Sequence, residues 1–162
     1  MTIPGINHIL AQPEKYLKGK TVGLIVNHTS LASDHKHSIE HFKSHPSFKL
    51  KALFGPEHGL YGIAQDMVEI KNEVDPVSGL TISSLYGKTE ETLQPDPDAL
   101  SEVDNLIFDI QDVGARYYTF IYTMAKCMVI CKESDTRMIV CDRPNPINGI
   151  CLLYTSPSPR DS

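Results

Sequence analysis

The chain has 162 residues, of which 41% are hydrophobic and 22% charged, enough for one core but scarcely for two. Its formal net charge of -5 and scattered basic residues give no electrostatic footprint for nucleic acid, and no apolar run is long enough to span a bilayer. Both features favour a small molecule or a neutral polymer as the partner. The first residues lack the segments of a signal peptide, so the chain as written is expected to be cytoplasmic.

Residues 1–19 carry several turn signals, and we expect them to wrap the outside of the domain. The continuous apolar run from Val22 to Val26 then predicts a strand buried on both faces. Hydrogen-bonding side chains, beginning with Asn27 and His28, follow it at once. A short amphipathic helix is predicted over 36–44, and the nearby histidines are expected to form a solvated surface: His35, His37, His41 and His45.

A second strand is predicted over residues 48–54, and it runs into a turn rich in glycine and proline that contains Glu57, His58 and Tyr61. Residues 63–78 are polar and irregular, and residues 81–85 predict a third strand. The tripeptide Gly87-Lys88-Thr89 lacks the earlier glycine of a phosphate loop, and no dinucleotide fingerprint follows any strand. We therefore expect no nucleotide cofactor.

Proline and aspartate at residues 95–98 indicate the start of a short helix, and residues 105–108 predict a fourth buried strand. The next segment, residues 109–119, holds two carboxylates, an amide, a guanidinium and two phenols, far more than a turn requires. A helix is predicted from about residue 119 to 133, with one apolar face: Ile121, Met124, Ala125, Met128 and Cys131. The last strand, residues 138–141, ends in charged residues.

Polar side chains thus follow four predicted strands, and parallel strands bring their carboxyl ends to one edge of a sheet. We expect the polar groups to converge there. Carboxylates in different surroundings suit general acid/base catalysis, and tyrosine rings such as Tyr61, Tyr117 and Tyr118 suit stacking on sugars. The residues alone therefore favour a carbohydrate hydrolase.

The cysteines do not have the spacing of a zinc site. Cys127 and Cys131 lie one helical turn apart and Cys141 falls in a predicted strand, so we expect small buried side chains. No metal site is predicted from the cysteines or from the histidines.

Five sequence blocks, in this order, resemble the signature of the NamZ-like exo-β-N-acetylmuramidases, bacterial glycoside hydrolases that act on peptidoglycan fragments. They begin at Asn27, Phe54, Ser84, Phe108 and Asp142. The resemblance implies release of terminal N-acetylmuramic acid from non-reducing ends. It also implies a Rossmann-like three-layer α/β domain with a mainly parallel sheet, a smaller C-terminal domain that is missing from this chain, and an active site between the two.

The resemblance makes Glu57 the leading candidate for the catalytic acid/base, with His58, Asp109 and Asp112 as further catalytic candidates. The expected substrate-binding residues are Asn27, His28, Tyr61, Gln111, Arg116, Tyr117, Asp142, Arg143 and Asn145. No cofactor and no metal are implied, and the expected partners are a muropeptide or peptidoglycan-derived saccharide and the missing domain. Whether configuration is retained or inverted depends on the separation of the carboxyl groups.

Residues 1–150 are interpreted as the incomplete glycosidase domain, and residues 151–162 as a non-native tail resembling translated adaptor or vector sequence. Relatives of this kind are often exported, whereas this chain shows no signal peptide. Two other functions stay open. Asp109 and Asp112 after a strand could serve a metal-dependent phosphohydrolase, although an aspartyl nucleophile enzyme needs them two residues apart. A non-catalytic sugar-binding module would need the same polar cleft without the reaction.

Overall fold

A computed structural model of the protein describes residues 3–56, 60, 73–85, 94–115 and 117–147. Within these residues the strands form one six-stranded sheet in the order β3-β4-β2-β1-β5-β6. All neighbouring strands pair in parallel except β3 and β4, which are antiparallel. The α/β fold with a mainly parallel sheet, predicted from the sequence, is confirmed.

The strands are β1 (Thr21–Val26), β2 (Lys49–Gly55), β3 (Glu73–Val74), β4 (Thr81–Ser84), β5 (Asn105–Asp109) and β6 (Arg137–Val140). The helices are α1 (Gly5–Ala11), α2 (Pro13–Tyr16), α3 (Ser38–Ser44), α4 (Pro97–Leu100) and α5 (Phe120–Glu133). The five predicted strands are present. The sequence reading missed β3, because two residues are too few to show an alternating pattern.

Helices cover the sheet on both sides, which gives the three layers expected for a Rossmann-like domain. Val22 and Leu24 of β1 face the layer that contains α1 and α3, whereas Ile25 faces the layer that contains α4 and α5. This alternation follows from the period of two along a strand. Since both faces are covered, β5 is buried along its whole length and β1 along all but its first residue, and the central residues of both strands are apolar, as is usual for buried parallel strands.

The expectation that residues 1–19 wrap the outside is wrong. They contain α1 and α2, and the α1 side chains Ile6 and Ile9 are completely or almost completely buried in the core. The two isoleucines lie three residues apart, which places them on one side of a helix. The helix lies against the end of β6, where the Gly5 backbone N–H donates to the Asp142 carbonyl oxygen at 2.9 Å.

The predicted buried face of α5 is also wrong in part. The residues that it buries are Thr123, Cys127, Ile130 and Cys131, whereas Ile121 and Met128 are more than half exposed. This helix carries apolar side chains on both of its sides, so periodicity alone does not determine which side packs on the sheet.

Three of the four histidines expected on a solvated surface are only half-exposed and have protein partners, whereas His35 is exposed. His37 accepts from the Ile39 backbone N–H through Nδ1, which leaves Nε2 to donate to the Asn27 carbonyl oxygen at 2.8 Å. His41 contacts Asp34, and His45 stacks on Phe48 with ring centroids 4.2 Å apart. These contacts hold α3 against β1 and β2.

The cysteines within the described residues are buried free thiols, as predicted: Cys127, Cys131 and Cys141. Burial raises the pKa of Cys127 to about 12 and that of Cys131 to about 11. At neutral pH the thiols therefore pack as small neutral side chains. None of the described helices is long and apolar enough to cross a membrane.

Candidate functional site

The carboxyl ends of β1, β5 and β6 lie side by side at one edge of the sheet. In the strand register, Val26 of β1 is paired with Asp109 of β5, and Phe108 is paired with Val140 of β6. The residues that follow each strand therefore start from neighbouring positions. The polar segments at 109–119 and 142–147, far apart along the chain, meet in this way.

Asp109 and Arg143 form a buried ion pair at the centre of this edge. The Asp109 side chain is fully buried. Its Oδ1 accepts from Arg143 Nε at 2.8 Å, and its Oδ2 accepts from Arg143 Nη2 at 2.9 Å. Ser38 Oγ donates to Asp109 Oδ2 at 2.5 Å. Both carboxylate oxygens are thus occupied, and the bidentate geometry fixes the plane of the guanidinium group.

The turn after β1 also contacts Asp109. Asn27 is buried, and its Oδ1 accepts from the backbone N–H of Thr29 at 3.0 Å and from Thr29 Oγ1 at 2.6 Å. Ser30 Oγ donates to the Asp109 carbonyl oxygen, and the Ser30 carbonyl oxygen lies 2.9 Å from Ser38 Oγ, as an alternative acceptor for the proton that Ser38 donates to Asp109. The Asn27 carboxamide oxygen therefore shapes its own turn, a common use of asparagine directly after a strand.

Arg143, the cation of this ion pair, lines a cavity of about 200 Å³. Its polar lining comes from Asp112, Asp142 and Arg143. Its apolar wall is built from β5, β6 and the first turns of α5: Phe108, Ile110, Phe120, Ile121, Met124, Val140 and Cys141. The Tyr118 and Phe120 rings stack beside it, with centroids 5.5 Å apart.

Hydrogen bonds tie the two polar segments together at the rim of this cavity. Gln111 Nε2 donates to the Asp112 carbonyl at 2.7 Å and to the Pro144 carbonyl at 2.9 Å. Asn145 Nδ2 donates to Asp112 Oδ2 at 3.1 Å. Gly114 has a φ of 72°, and a Cβ on it would lie 2.8 Å from Asn145 Oδ1. Glycine is therefore required for the close approach of the two segments.

The predicted site residues divide into several groups. Asp112, Asp142 and Arg143 line the cavity, Gln111 and Asn145 bridge its rim, and Asn27 and Asp109 lie beneath it, as described above. His28 is exposed in the turn after β1, and Tyr117 is 94% exposed. Glu57, His58, Tyr61 and Arg116 fall outside the described residues. The strand before Glu57 is β2, which runs parallel to β1 and ends at the same edge.

Sequence reasoning missed two residues that support the site, Ser38 and Gly5. Ser38 holds Asp109, and Gly5 contacts the backbone that carries Asp142. Ser30 also holds Asp109, and its place directly after a strand predicts that its side chain satisfies backbone groups of the turn, as it does by accepting from the Asn27 backbone N–H at 3.0 Å. Ser38 and Gly5 had no such sequence signal, because their partners lie about 71 and 137 residues further along the chain.

The cavity is suited to a hydroxyl-rich ligand. Asp112 and Asp142 contribute two carboxylates, and Arg143 contributes a guanidinium group that Asp109 holds in place. Carboxylate oxygens accept hydrogen bonds from hydroxyl groups, and the aromatic and aliphatic wall suits the apolar face of a sugar ring. Among the described residues, no group of three or more histidine, cysteine or acidic side chains is arranged to hold a metal ion.

The fold and this edge together define a Rossmann-like α/β domain with a polar ligand cavity at the carboxyl ends of its parallel strands. Residues 22–153 match the family model described as exo-beta-N-acetylmuramidase NamZ, N-terminal. The chain belongs to this family.

The chain is similar to a curated protein and to two solved structures. It is 47% identical over 145 residues to the peptidoglycan beta-N-acetylmuramidase NamZ of Bacillus subtilis (strain 168), covering 90% of this chain and 34% of that protein. A crystal structure of a DUF1343 family protein from Bacteroides fragilis NCTC 9343 has a TM-score of 0.79 and 40% identity, covering 92% of this chain and 36% of the other. A crystal structure of a second DUF1343 family protein from the same strain has a TM-score of 0.67 and 33% identity, covering 89% of this chain and 35% of the other. The chain thus spans about a third of the length of these relatives.

Proposed function

We propose that this chain is the N-terminal part of an exo-β-N-acetylmuramidase that releases terminal N-acetylmuramic acid from peptidoglycan fragments. The observation that carries the proposal is the cavity that Asp112, Asp142 and Arg143 line beside an aromatic wall, in a chain 47% identical to a curated enzyme of this activity. The donors, acceptors and apolar wall match what a sugar ring offers.

In this proposal Glu57 is the acid/base that protonates the glycosidic oxygen. It follows Gly55, the last residue of β2, by two positions in the sequence, and β2 runs parallel to β1 and ends at the same edge of the sheet. Glycosidases of the common type place two carboxyl groups around the scissile bond. Asp112 and Asp142 are the two described carboxylates that line the cavity, so either can be the second group.

Asp109 takes a supporting role in the proposed mechanism. Its two oxygens accept from Arg143 and Ser38, and its side chain is absent from the cavity lining. Its function is then to fix Arg143, whose side chain is only 7% exposed, in one orientation beside the ligand. The same contacts count against a phosphohydrolase, because a metal ion at Asp109 would have to displace the guanidinium group from both oxygens.

The experiment requires a complete enzyme, since the chain spans about a third of its relatives. Residues 1–147 would be fused to the part of the Bacillus subtilis relative that follows the matched segment and assayed on a chromogenic β-N-acetylmuramide. We expect Glu57→Gln to lower kcat by roughly 10²- to 10⁴-fold, the usual contribution of a general acid or base. Substrate binding should be largely retained.

Glu14→Gln is the matched control, because Glu14 is an exposed glutamate in α2, just before β1 and therefore near the amino ends of the strands. It should leave kcat and KM unchanged. Turnover of the Glu57→Gln variant at the parent rate would remove Glu57 from the chemistry. Saturable binding of muramyl ligand by the parent fusion with no hydrolysis would instead identify a sugar-binding module.

A further inference from the structure

Helix α5 has a second apolar face that points away from the sheet. It consists of Ile121, Tyr122, Ala125, Met128 and Val129, which we call the outer face of α5. Its four large side chains are 53–63% exposed: Ile121 58%, Tyr122 63%, Met128 53% and Val129 57%. The spacing of i, i+1, i+4, i+7 and i+8 places all five on one side of a helix.

The opposite side of α5 already forms its share of the core. Cys127, Ile130 and Cys131 pack there with Leu106 and Phe108 of β5. The outer face is therefore additional to what the sheet requires. A helix that is apolar all round is normally buried all round.

Another helix of the same domain shows what an ordinary outer surface looks like. In α3 the buried residues are Ser38, Ile39 and Phe42, and the exposed ones are Glu40, Lys43 and Ser44. On the outer side of α5 the charged residues are Lys126, which is half-buried at the border of the apolar set, and Lys132 and Glu133 in the last turn. Single exposed apolar residues are common, whereas a contiguous set of this kind marks an interaction surface.

The last described strand contributes exposed apolar residues near the start of α5, where Val140 and Ile121 line the same cavity. Val140 of the terminal strand β6 is 48% exposed, and Ile147 is 46% exposed. Gln111 and Asn145 hold residues 144–147 against the segment that leads into α5. The matched family model is an N-terminal one, and the relatives are about three times as long, so most of their length follows this domain. In a full-length protein that polypeptide follows residues 144–147, which are held against the segment that leads into α5.

We propose that the outer face of α5, together with Val140, is the docking surface for the C-terminal region of the full-length protein. Ile121 belongs both to the outer face and to the cavity wall, so a region docked on the outer face would lie next to the cavity. The inference concerns an interface and holds whichever reaction the enzyme catalyses.

Hydroxyl-radical footprinting read by mass spectrometry tests the proposal directly. The 162-residue chain would be compared with the fusion to the remainder of the Bacillus subtilis relative. We expect labelling of Tyr122 and Met128 to fall several-fold in the fusion. Ile3 and Val74, which are 56% and 64% exposed elsewhere on the domain, provide the internal comparison. Equal labelling of Tyr122 and Met128 in both proteins would overturn the proposal.

A pair of variants provides a second readout. Val129→Asp should lower the Tm of the fusion while leaving that of the 162-residue chain unchanged, because Val129 is exposed in the isolated domain. Val74→Asp is the matched control, since Val74 lies in β3 at the other end of the sheet. It should leave both Tm values unchanged. Tyr122→Ser should repeat the effect of Val129→Asp without adding charge.

A second copy of the chain is the competing occupant. Sedimentation velocity of the 162-residue chain should show a monomer at micromolar concentration. A dimer that Val129→Asp dissociates, with no protection of Tyr122 in the fusion beyond that in the dimer, would assign the outer face to self-association and contradict the proposal.

Discussion

The two ends of β5 carry aspartates in opposite surroundings. Asp104, one residue before the strand, is exposed, and its Oδ2 accepts from the backbone N–H groups of Lys20 and Thr21, each at 2.9 Å, and from Thr21 Oγ1 at 2.7 Å. Asp109, the last residue of the strand, is fully buried against Arg143 and Ser38. One carboxylate completes backbone hydrogen bonds in contact with water, and the other needs a cation because water is excluded.

The difference separates a structural end of the sheet from a functional one. At the amino end, Asp104 and Asn105 bond to residues 18–21, which closes the start of β1 onto β5. At the carboxyl end, the Asp109–Arg143 pair holds Arg143 at the cavity. A buried ion pair is a costly way to stabilise a fold, so its position beneath a cavity is better explained by the orientation of Arg143.

The largest effect is expected from Asp109→Ala. It leaves the Arg143 charge buried without its partner, which typically costs about 3–5 kcal/mol. Since domains of this size are stable by about 5–15 kcal/mol, a large part of the free energy of unfolding would be lost. Urea unfolding followed by circular dichroism measures the change in midpoint.

The double variant Asp109→Leu with Arg143→Met separates the charge from the packing. Replacing a buried pair by apolar residues of similar volume is often neutral for stability. We therefore expect the double variant to be more stable than Asp109→Ala, while the fusion that carries it loses activity because Arg143 is gone. A cost below about 1 kcal/mol for Asp109→Ala would show that the pair is solvated and that the two ends of β5 are alike.

An intermediate effect is expected from Gly5→Ala. A Cβ on Gly5 would lie 2.8 Å from the Asp142 backbone nitrogen and 2.9 Å from the Cys141 Cα, so α1 or the end of β6 must shift. Overpacking of this kind costs about 1–3 kcal/mol. The displaced backbone carries Asp142 and leads to Arg143, so kcat of the fusion should fall as well.

The neighbouring variant His8→Ala controls for changes in α1 itself, because His8 is an exposed residue of the same helix. It should change neither the urea midpoint nor kcat. Loss of stability in Gly5→Ala with unchanged kcat would mean that α1 supports the core without positioning the site.

The sequence was sufficient to predict the parts of the fold that depend on local pattern. Apolar runs identified β1, β2, β5 and β6, residues that favour strands identified β4, and the polar residues after the strands correctly indicated one edge. It was insufficient for β3, which is too short to show a period. It also failed to predict which side of α5 packs on the sheet, because the helix has apolar residues on two sides.

The sequence predicted which residue types form the candidate site, but it did not predict which of them contact the cavity and which support it. Asp109 and Asp112 look equivalent in sequence, three residues apart after one strand. The structure buries Asp109 against Arg143 and leaves Asp112 exposed at the cavity. This difference depends on Ser38 and Arg143, which come from distant parts of the chain, so no local pattern contains it.

The smallest effect is expected at the amino end of β5. Asp104→Ala removes an exposed acceptor of three hydrogen bonds, and after allowance for solvent screening we expect a cost of about 1 kcal/mol in urea unfolding. Hydrogen bonds from the Thr21 side chain and backbone lower the pKa of Asp104 from its usual 3.8. Its contribution is therefore fully present above the unfolded-state value and is lost as the pH falls through the lower folded-state value.

The pH dependence of this variant is the sharpest check on the contrast between the two ends of β5. The difference in stability between the parent and Asp104→Ala should be constant from pH 7 down to about pH 4 and should shrink below that. Thr21→Ala removes the hydroxyl that contributes most to the lowered pKa, so it should reproduce part of this behaviour. If the difference in stability between the parent and Asp104→Ala grew as the pH fell, Asp104 would be protonated in the folded protein. The amino end of β5 would then differ both from a hydrated carboxylate and from the buried ion pair at Asp109.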